Sequence, residues 1–468
     1  MEFLNRTDDL AALGDSWVGV SRRGQFFVLW GRRRVGKTEL LSYFVDDKRA
    51  LYFEATDATE AVQLGNLAEQ LSLVSGNRLH AETGFPSWTA ALEAIAQFVG
   101  DEPTVVVLDE FQYLAARQGE LATLLNRWWR EIGRERPMLL VVAGSEVSFF
   151  RQDVLAGQLY GRRDNQWQVR PFAHNDAALF VPGYSPDDKV RTYAVCGGMP
   201  YYLDTFDDAL PIEENILRNI LNRGGLLHEE AELLLRQELN DPFNYFSVLE
   251  AIARGDTRTS RIAARTHLEQ SQVSQLLRVL ERLELVEQRR PVTAGPTSKK
   301  TTYAILDGFL NFHFRFVEPY RSRLRSRDDA RRHLEATVAP QLDHFVSKPC
   351  WELACQQHML RAEDAKAVGA WWGPVRTGRK QTEEREVDGA TIDLDGKVTA
   401  LASCKWTNSP LARSEDTFLT QMKKHIPGAE DVKRHYFYSR SGFDDELVKL
   451  AEADPGRCKL FTPSDFFG

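Results

Sequence analysis

Residues 31 to 38 read Gly-Arg-Arg-Arg-Val-Gly-Lys-Thr and follow directly on the apolar run Phe26-Phe27-Val28-Leu29-Trp30. A buried strand that runs into a glycine-bounded loop ending in Lys-Thr folds as strand, phosphate-binding loop and helix. Gly31 and Gly36 let the backbone turn its N–H groups onto phosphates, with Arg32, Arg33, Arg34 and Val35 forming the loop between them. Lys37 reaches the β and γ phosphates as a point charge, and the Thr38 hydroxyl is placed to ligate Mg²⁺. The segment Glu39 to Phe44 supplies a helix whose N-terminal dipole favours anions. The expected ligands are ATP and Mg²⁺.

Two further apolar runs fit the same sheet. Thr104-Val105-Val106-Val107-Leu108 ends in Asp109-Glu110, as a Walker B strand does. Asp109 is expected to hold Mg²⁺ through water, and Glu110 to polarise the attacking water as general base. Met138 to Ala143 ends at Gly144-Ser145-Glu146, which places Ser145 to contact the γ-phosphate or that water. Strands alternating with helical segments predict an α/β domain with a parallel sheet.

A chain of 468 residues predicts about three domains, and 43% hydrophobic residues suffice for several cores. The formal charge of -8 excludes a global basic field, so any nucleic-acid contact must come from a local patch. The five cysteines lie without a C-x-x-C pair, which points away from a zinc ribbon or a disulfide framework and toward a reducing cytoplasm. The polar start is no signal peptide, and no apolar run approaches the ~20 residues of a membrane span. A soluble protein is expected.

Along the chain, residues 1–171 form the phosphate-loop domain, with added strands at Ala50 to Glu54 and Trp167 to Arg170. Arg162 and Arg163 follow the third strand. They are either positioned to reach transition-state charge or a solvated surface pair. Residues 172–235 read as a small helical lid, broken at Gly197-Gly198-Met199-Pro200. Residues 236–318 show three amphipathic helices and then two strand-like runs, the pattern of a winged helix. Its third helix offers Gln270, Ser271, Gln272, Ser274 and Gln275 to base edges, and Arg289, Arg290, Lys299 and Lys300 on the wing to phosphates. Glu269, Glu281 and Glu284 on or beside that helix repel DNA, so a protein-binding winged helix is the standing alternative. The arginine-rich stretch 321–327 reads as a linker, a phosphate-contacting arm or a solvated helix face.

Residues 335–468 form a last α/β unit. Glu352 in a helical run, Asp388 on a strand and Lys405 on the next follow the order in which a Mg²⁺ nuclease assembles a metal and a lysine around a phosphate. One part is missing. Two residues before Lys405 stands Ser403, where a metal-ligating carboxylate would be expected, and Glu386 is merely compatible as a substitute. A remnant that holds rather than cuts is the default reading.

The assembled pieces resemble the archaeal-type ATPases, a prokaryotic family on the AAA+/STAND side of the phosphate-loop NTPases. In that family an ATPase precedes a winged helix and a domain related to the PD-(D/E)xK nucleases. The marks are Phe3-Leu4-Asn5-Arg6, Gly31 to Thr38, Leu108-Asp109-Glu110-Phe111-Gln112, Ala143-Gly144-Ser145, Leu159 to Arg163, Gly197 to Leu203 and Tyr303 to Phe312. The resemblance implies an AAA+-type domain with a parallel sheet and helical lid, then the winged helix, then an α/β restriction-endonuclease-like domain. It further implies Arg6 near base and ribose, Ser145 as first sensor, Gly198 to Pro200 as a lid motif, and Arg162 or Arg163 sensing the γ-phosphate in cis or from a neighbouring subunit of a homo-oligomer. The family's usual Arg-Glu is Arg6-Thr7 here, and its Glu-Cys-Lys is Ser403-Cys404-Lys405.

The expected function is therefore an ATPase whose nucleotide state sets its binding of duplex DNA. The alternative is an ATP-dependent switch that grips a protein partner, and a third reading is an ATP-dependent nuclease.

Overall fold

The computed structural model describes residues 3–115, 121–150, 154, 164–239, 241–295, 297–298, 300–376 and 381–467. Five apolar runs pair as β1 (Gln25–Trp30), β2 (Ala50–Glu54), β3 (Thr104–Asp109), β4 (Met138–Gly144) and β5 (Asn165–Gln168), in the spatial order β2-β3-β4-β1-β5 with every pairing parallel. Parallel neighbours need crossovers, and after α1 (Thr7–Gly19), which precedes β1, helices supply them: α2 (Lys37–Val45), α3 (Glu60–Ser75), α4 (Trp88–Val99) and α5 (Leu121–Glu131). Helices over both faces explain why β3 and β4 are buried at every residue and read as unbroken apolar runs. Phe26, Val28, Val106 and Leu140 from the strands meet Leu67, Leu92, Leu125 and Trp129 from the helices. Ser87 caps α4 by accepting from the Ala90 N–H at 3.3 Å. β5 lies two residues earlier than Trp167 to Arg170 because Pro171 lacks an N–H and the Arg170 carbonyl is taken by the Arg6 guanidinium.

The chain divides into two compact units, Met1–Pro171 with Met199–Tyr201, and Phe172–Gly198 with Tyr202–Gly468. The second contains α6 (Pro186–Cys196), which starts on a Ser185 cap with proline in its first turn and ends at Gly197, φ 64°. Gly198 follows, where a Cβ would lie 1.9 Å from the Phe172 carbonyl oxygen, so only glycine fits.

Further on, α7 (Phe243–Ala253), α8 (Thr259–Thr266) and α9 (Gln270–Arg282) precede the antiparallel hairpin of β6 (Val286–Arg289) and β7 (Thr302–Ile305). Val273, Leu277 and Leu280 form one buried stripe of α9, which leaves Gln270, Ser271, Gln272, Gln275 and Arg278 exposed. The last segment runs α10 (Glu352–Ala362), β8 (Ala367–Arg376), β9 (Thr382–Ile392), β10 (Val398–Lys405), α11 (Ser414–Met422), β11 (Arg434–Ser439), α12 (Asp445–Ala453) and β12 (Cys458–Phe461). Its sheet has the order β12-β11-β10-β9-β8, antiparallel from β8 to β10 and parallel from β10 to β12.

Apart from Met199–Tyr201, the lid falls in one unit with the winged helix and C-terminal sheet, and specific polar contacts join these segments, which the sequence reads as separate. Asp343 accepts from Arg191 at 2.9 and 3.0 Å and from Arg440 at 2.6 Å, and Arg440 also reaches Asp187 at 2.6 Å. The Val292 N–H of the wing donates to the Ala370 carbonyl of β8 at 2.9 Å. Among the described residues no helix is long and apolar enough to cross a membrane.

Candidate nucleotide site and C-terminal carboxylates

The first site lies where β1, β3 and β4 end. Gly31 leaves β1 so close to its neighbour that a Cβ would meet the Val169 carbonyl oxygen at 2.3 Å. Arg34 at φ 68° and Gly36 at φ 86° put two loop residues in the left-handed region, which bends successive N–H groups into a concave anion cradle. Lys37 is buried, and its ammonium donates to the Gly31 and Arg32 carbonyls at 3.0 and 3.1 Å. Val35 is fully buried and anchors the loop, and its carbonyl accepts from Arg6 at 2.5 Å. Arg6 also donates to the Arg170 carbonyl at 2.7 Å and to Asp9 at 3.3 Å, so its guanidinium ties the loop to the end of β5. Arg33 donates to the Tyr113 hydroxyl at 3.0 Å, Arg34 lies 4.1 Å over the Tyr201 ring, and Arg32 is buried.

Thr38 donates its hydroxyl to Asp109 Oδ2 at 3.1 Å. Tyr52 on β2 donates to the same oxygen at 2.7 Å. Burial first, then the Asp109 charge, hold the Tyr52 phenol well above its ordinary range, which keeps it a donor. Glu110 takes φ 50°, and Ser145 donates to its Oε2 at 2.9 Å. Gln112 donates to that same Glu110 oxygen and to Ser145 Oγ, the latter at 3.3 Å. Glu54 ends β2 opposite Asp109, and its carboxyl is raised by burial and then by Asp109 and Glu110. A hydroxyl, an acidic Asp109 and an adjacent Glu110 form an all-oxygen anionic donor set, which suits a hard cation such as Mg²⁺. Thr38 and Asp109 are thus brought together, as are Glu110 and Ser145. Arg162 and Arg163 lie outside the described residues. Sequence reading missed the roles of Tyr52 and Gln112, and the one available signal was their two-residue spacing from Glu54 and Glu110.

Residues 3–206 match a family described as an ATPase domain predominantly from Archaea. The chain carries an archaeal-type ATPase domain. Residues 239–295, which span α7, α8, α9 and β6 of the winged helix, match the MarR family, and residues 313–418 match a family described as archaeal and bacterial proteins of unknown function. An uncharacterized protein of Methanocaldococcus jannaschii is 24% identical over 99% of this chain and all of its own. A Walker-type ATPase of Pyrococcus abyssi is similar over 67% of this chain and 96% of its own, with TM-score 0.50 and 20% identity. The ORC2 protein of Aeropyrum pernix, solved in ADPNP–ADP complexes, is similar over 72% and 97%, with TM-score 0.47 and 14% identity.

On the winged helix, Gln272 is exposed near the start of α9. Arg289 and Arg290 are half-buried and spend their guanidinium groups on Glu287 and Gln288 of the same strand. Lys300 is exposed, and Lys299 lies outside the described residues. Exposed arginines stand instead on α8, at Arg261 and Arg265, and on α9, at Arg278 and Arg282, each pair spaced four apart as one helix face requires. That spacing was visible in the sequence. Arg265 pairs with Asp256, and nearby Arg258 meets Glu384 at 2.5 Å.

In the C-terminal sheet Glu352, Asp388 and Lys405 converge. Asp388 Oδ2 accepts from Lys405 Nζ at 2.8 Å and from the Cys404 N–H at 2.8 Å. Burial, and then the Asp388 charge, push the Glu352 carboxyl up to about 8. Lys348 lies 3.2 Å from Glu352 and 2.8 Å from Glu386, so Glu386 faces a lysine of the preceding helical segment. Ser403 donates to Glu415 Oε2 at 2.7 Å. Among the described residues no three His, Cys, Asp or Glu side chains gather as a metal cluster.

Proposed function

We propose that this protein binds ATP with Mg²⁺, hydrolyses it, and couples nucleotide state to its hold on duplex DNA through α9. The observation that carries the hydrolytic reading is the pair of hydrogen-bonded couples at the strand ends, Thr38 with Asp109 and Ser145 with Glu110. On binding ATP, Lys37 exchanges the Gly31 and Arg32 carbonyls for phosphate oxygens. Mg²⁺ held at Thr38 and Asp109 would neutralise charge on the phosphate oxygens. Glu110 takes the proton of the water that attacks the γ-phosphorus, the bond to the ADP oxygen breaks, and ADP and phosphate leave. Ser145 and Gln112 hold the Glu110 carboxylate in line for that transfer.

The DNA reading rests on the exposed Gln270, Ser271, Gln272 and Gln275, flanked by Arg261, Arg278 and Arg282, at the position where a winged helix meets the major groove. Steady-state ATP hydrolysis with and without duplex DNA, with Lys37→Ala as the blank, tests both halves. A Mg²⁺-dependent rate that DNA stimulates supports the whole reading, and a rate no higher than that of the Lys37→Ala blank sinks its enzymatic half.

A second reading, an ATP-dependent switch that grips a protein partner, is favoured by the wing. Its Val292 N–H is engaged by β8, and its arginines are paired within their own strand. An ATPase rate indifferent to DNA, together with no gel shift at low salt, would move the assignment there.

A further inference from the structure

β8 is an edge strand of the C-terminal sheet, and a bare edge of ten residues would offer its N–H and C=O groups to any passing strand. The wing covers part of it. The β8–β9 ladder shifts register between Gly369 and Trp371, which leaves Ala370 out of the pairing as a bulge does, and the Ala370 carbonyl accepts from the Val292 N–H at 2.9 Å. The Val292 side chain packs on the apolar core that contains Trp371 and Val375 of β8. A Cβ placed on Gly369 would lie 3.4 Å from the Val292 Cβ, and one on Gly373 would lie 3.4 Å from the Lys300 ammonium, so both ends of the wing rest against the same strand.

A charge contact accompanies them. Arg258 stands immediately before α8 and donates to Glu384 of β9 at 2.5 Å, with both side chains about half exposed. Arg258, Arg261 and Arg265 follow at intervals of three and four, the spacing of neighbours along one helix face, and Glu384 occupies the first of them. Residues 382–386 of β9 are exposed and carry Glu383, Glu384 and Glu386 against Arg385. A carboxylate held on an arginine that would otherwise meet a phosphate both spends that cation and repels the duplex backbone.

We propose that β8 and β9 clasp the winged helix shut, with Val292 and Lys300 held on β8 and Arg258 held by Glu384, and that this autoinhibitory contact restrains the binding of duplex DNA until it opens. The inference rests on the DNA reading of α9 given above and adds the restraint on it. One backbone hydrogen bond and an exposed ion pair are individually weak, so a polyanion competes with the closed state rather than being excluded by it.

The 3.4 Å separation at Gly369 and Val292 is close to the Cβ spacing of a disulfide. Val292→Cys with Gly369→Cys in the full chain therefore locks the clasp when oxidised with glutathione disulfide and frees it when reduced with dithiothreitol, and the wild type taken through the same treatment is the control. Duplex binding is read by fluorescence anisotropy. The oxidised double variant is expected to bind about 5–150-fold more weakly than the same protein reduced, the usual span of a coupling between two states. Glu384→Gln, with an unchanged Tm, is expected to bind more tightly than the wild type and to steepen the slope of log K against log salt by about 1, for the phosphate that Arg258 then meets. Equal binding by the two redox forms, wild-type affinity in Glu384→Gln, or failure of the two cysteines to join in the folded protein would each overturn the clasp and leave the DNA reading standing. No duplex binding by the wild type, by the reduced double variant or by Glu384→Gln would remove the DNA reading itself, and the restraint with it.

Discussion

Tyr52 donates its phenolic hydrogen to Asp109 Oδ2 at 2.7 Å, the same oxygen that Thr38 reaches at 3.1 Å. The residue expected to serve the cation is therefore aimed by a tyrosine from the neighbouring strand. Tyr52→Phe removes a hydrogen bond to a charged acceptor, worth about 1.5–3 kcal/mol in such settings. The expected outcome is a severalfold rise in the Mg²⁺ concentration for half-maximal ATP hydrolysis, with ATP binding retained. An unchanged Mg²⁺ profile would show that Tyr52 has only a packing role.

Glu110 and Ser145 allow a graded test. Glu110→Gln is expected to leave ATP bound while hydrolysis falls by about 10²–10⁴-fold, the range for loss of a positioned general base. Ser145→Ala leaves the base in place but loosens its aim, so a smaller fall in kcat with little change in KM is expected. Single-turnover rates beside equilibrium nucleotide binding separate the two. Normal turnover by Glu110→Gln would remove Glu110 from the mechanism.

For DNA, the reversals Arg261→Glu and Arg278→Glu are expected to weaken duplex binding and to flatten the plot of log K against log salt by about 1 for each phosphate that is no longer neutralised. Reversal of the inward-paired Arg289 is expected to change that slope little. Binding isotherms at four or five salt concentrations measure both, and equal slopes for all variants would remove α8 and α9 from the interface.

His174 sets a pH dependence. It is buried against Phe466, Nδ1 lies 3.2 Å from Gln357, and burial pushes the imidazole down to about 4. The unfolded chain binds this proton near pH 6.5, whereas the folded chain resists it until about 4. Between those values the unfolded state carries more protons, so stability falls as pH drops through the window, by about 3 kcal/mol in full. Urea denaturation of wild type and His174→Gln from pH 7 to pH 4 is expected to show the wild type losing stability relative to the variant. Parallel curves would rule out a neutral buried His174.

The nucleotide loop was legible in the sequence because its chemistry is local. Gly31 to Thr38 and Leu108 to Glu110 are contiguous runs in which backbone conformation, charge and the flanking apolar strands are written side by side. The winged helix was legible for the same reason, since Val273, Leu277 and Leu280 declare a buried stripe by spacing alone.

What the sequence determined by itself was thus the phosphate loop, the apolar strands beside it and the winged-helix pattern, all of which follow from periodicity and neighbouring residues. Tertiary structure decided which side chains meet. Tyr52 reaches Asp109 across 57 positions, the wing arginines turn to partners in their own strand, and Ser403, a gap when β10 is read alone, receives Glu415 from 12 residues further on. These pairings depend on strand order and on which helix lies over which face, and nothing in a local run of residues encodes either.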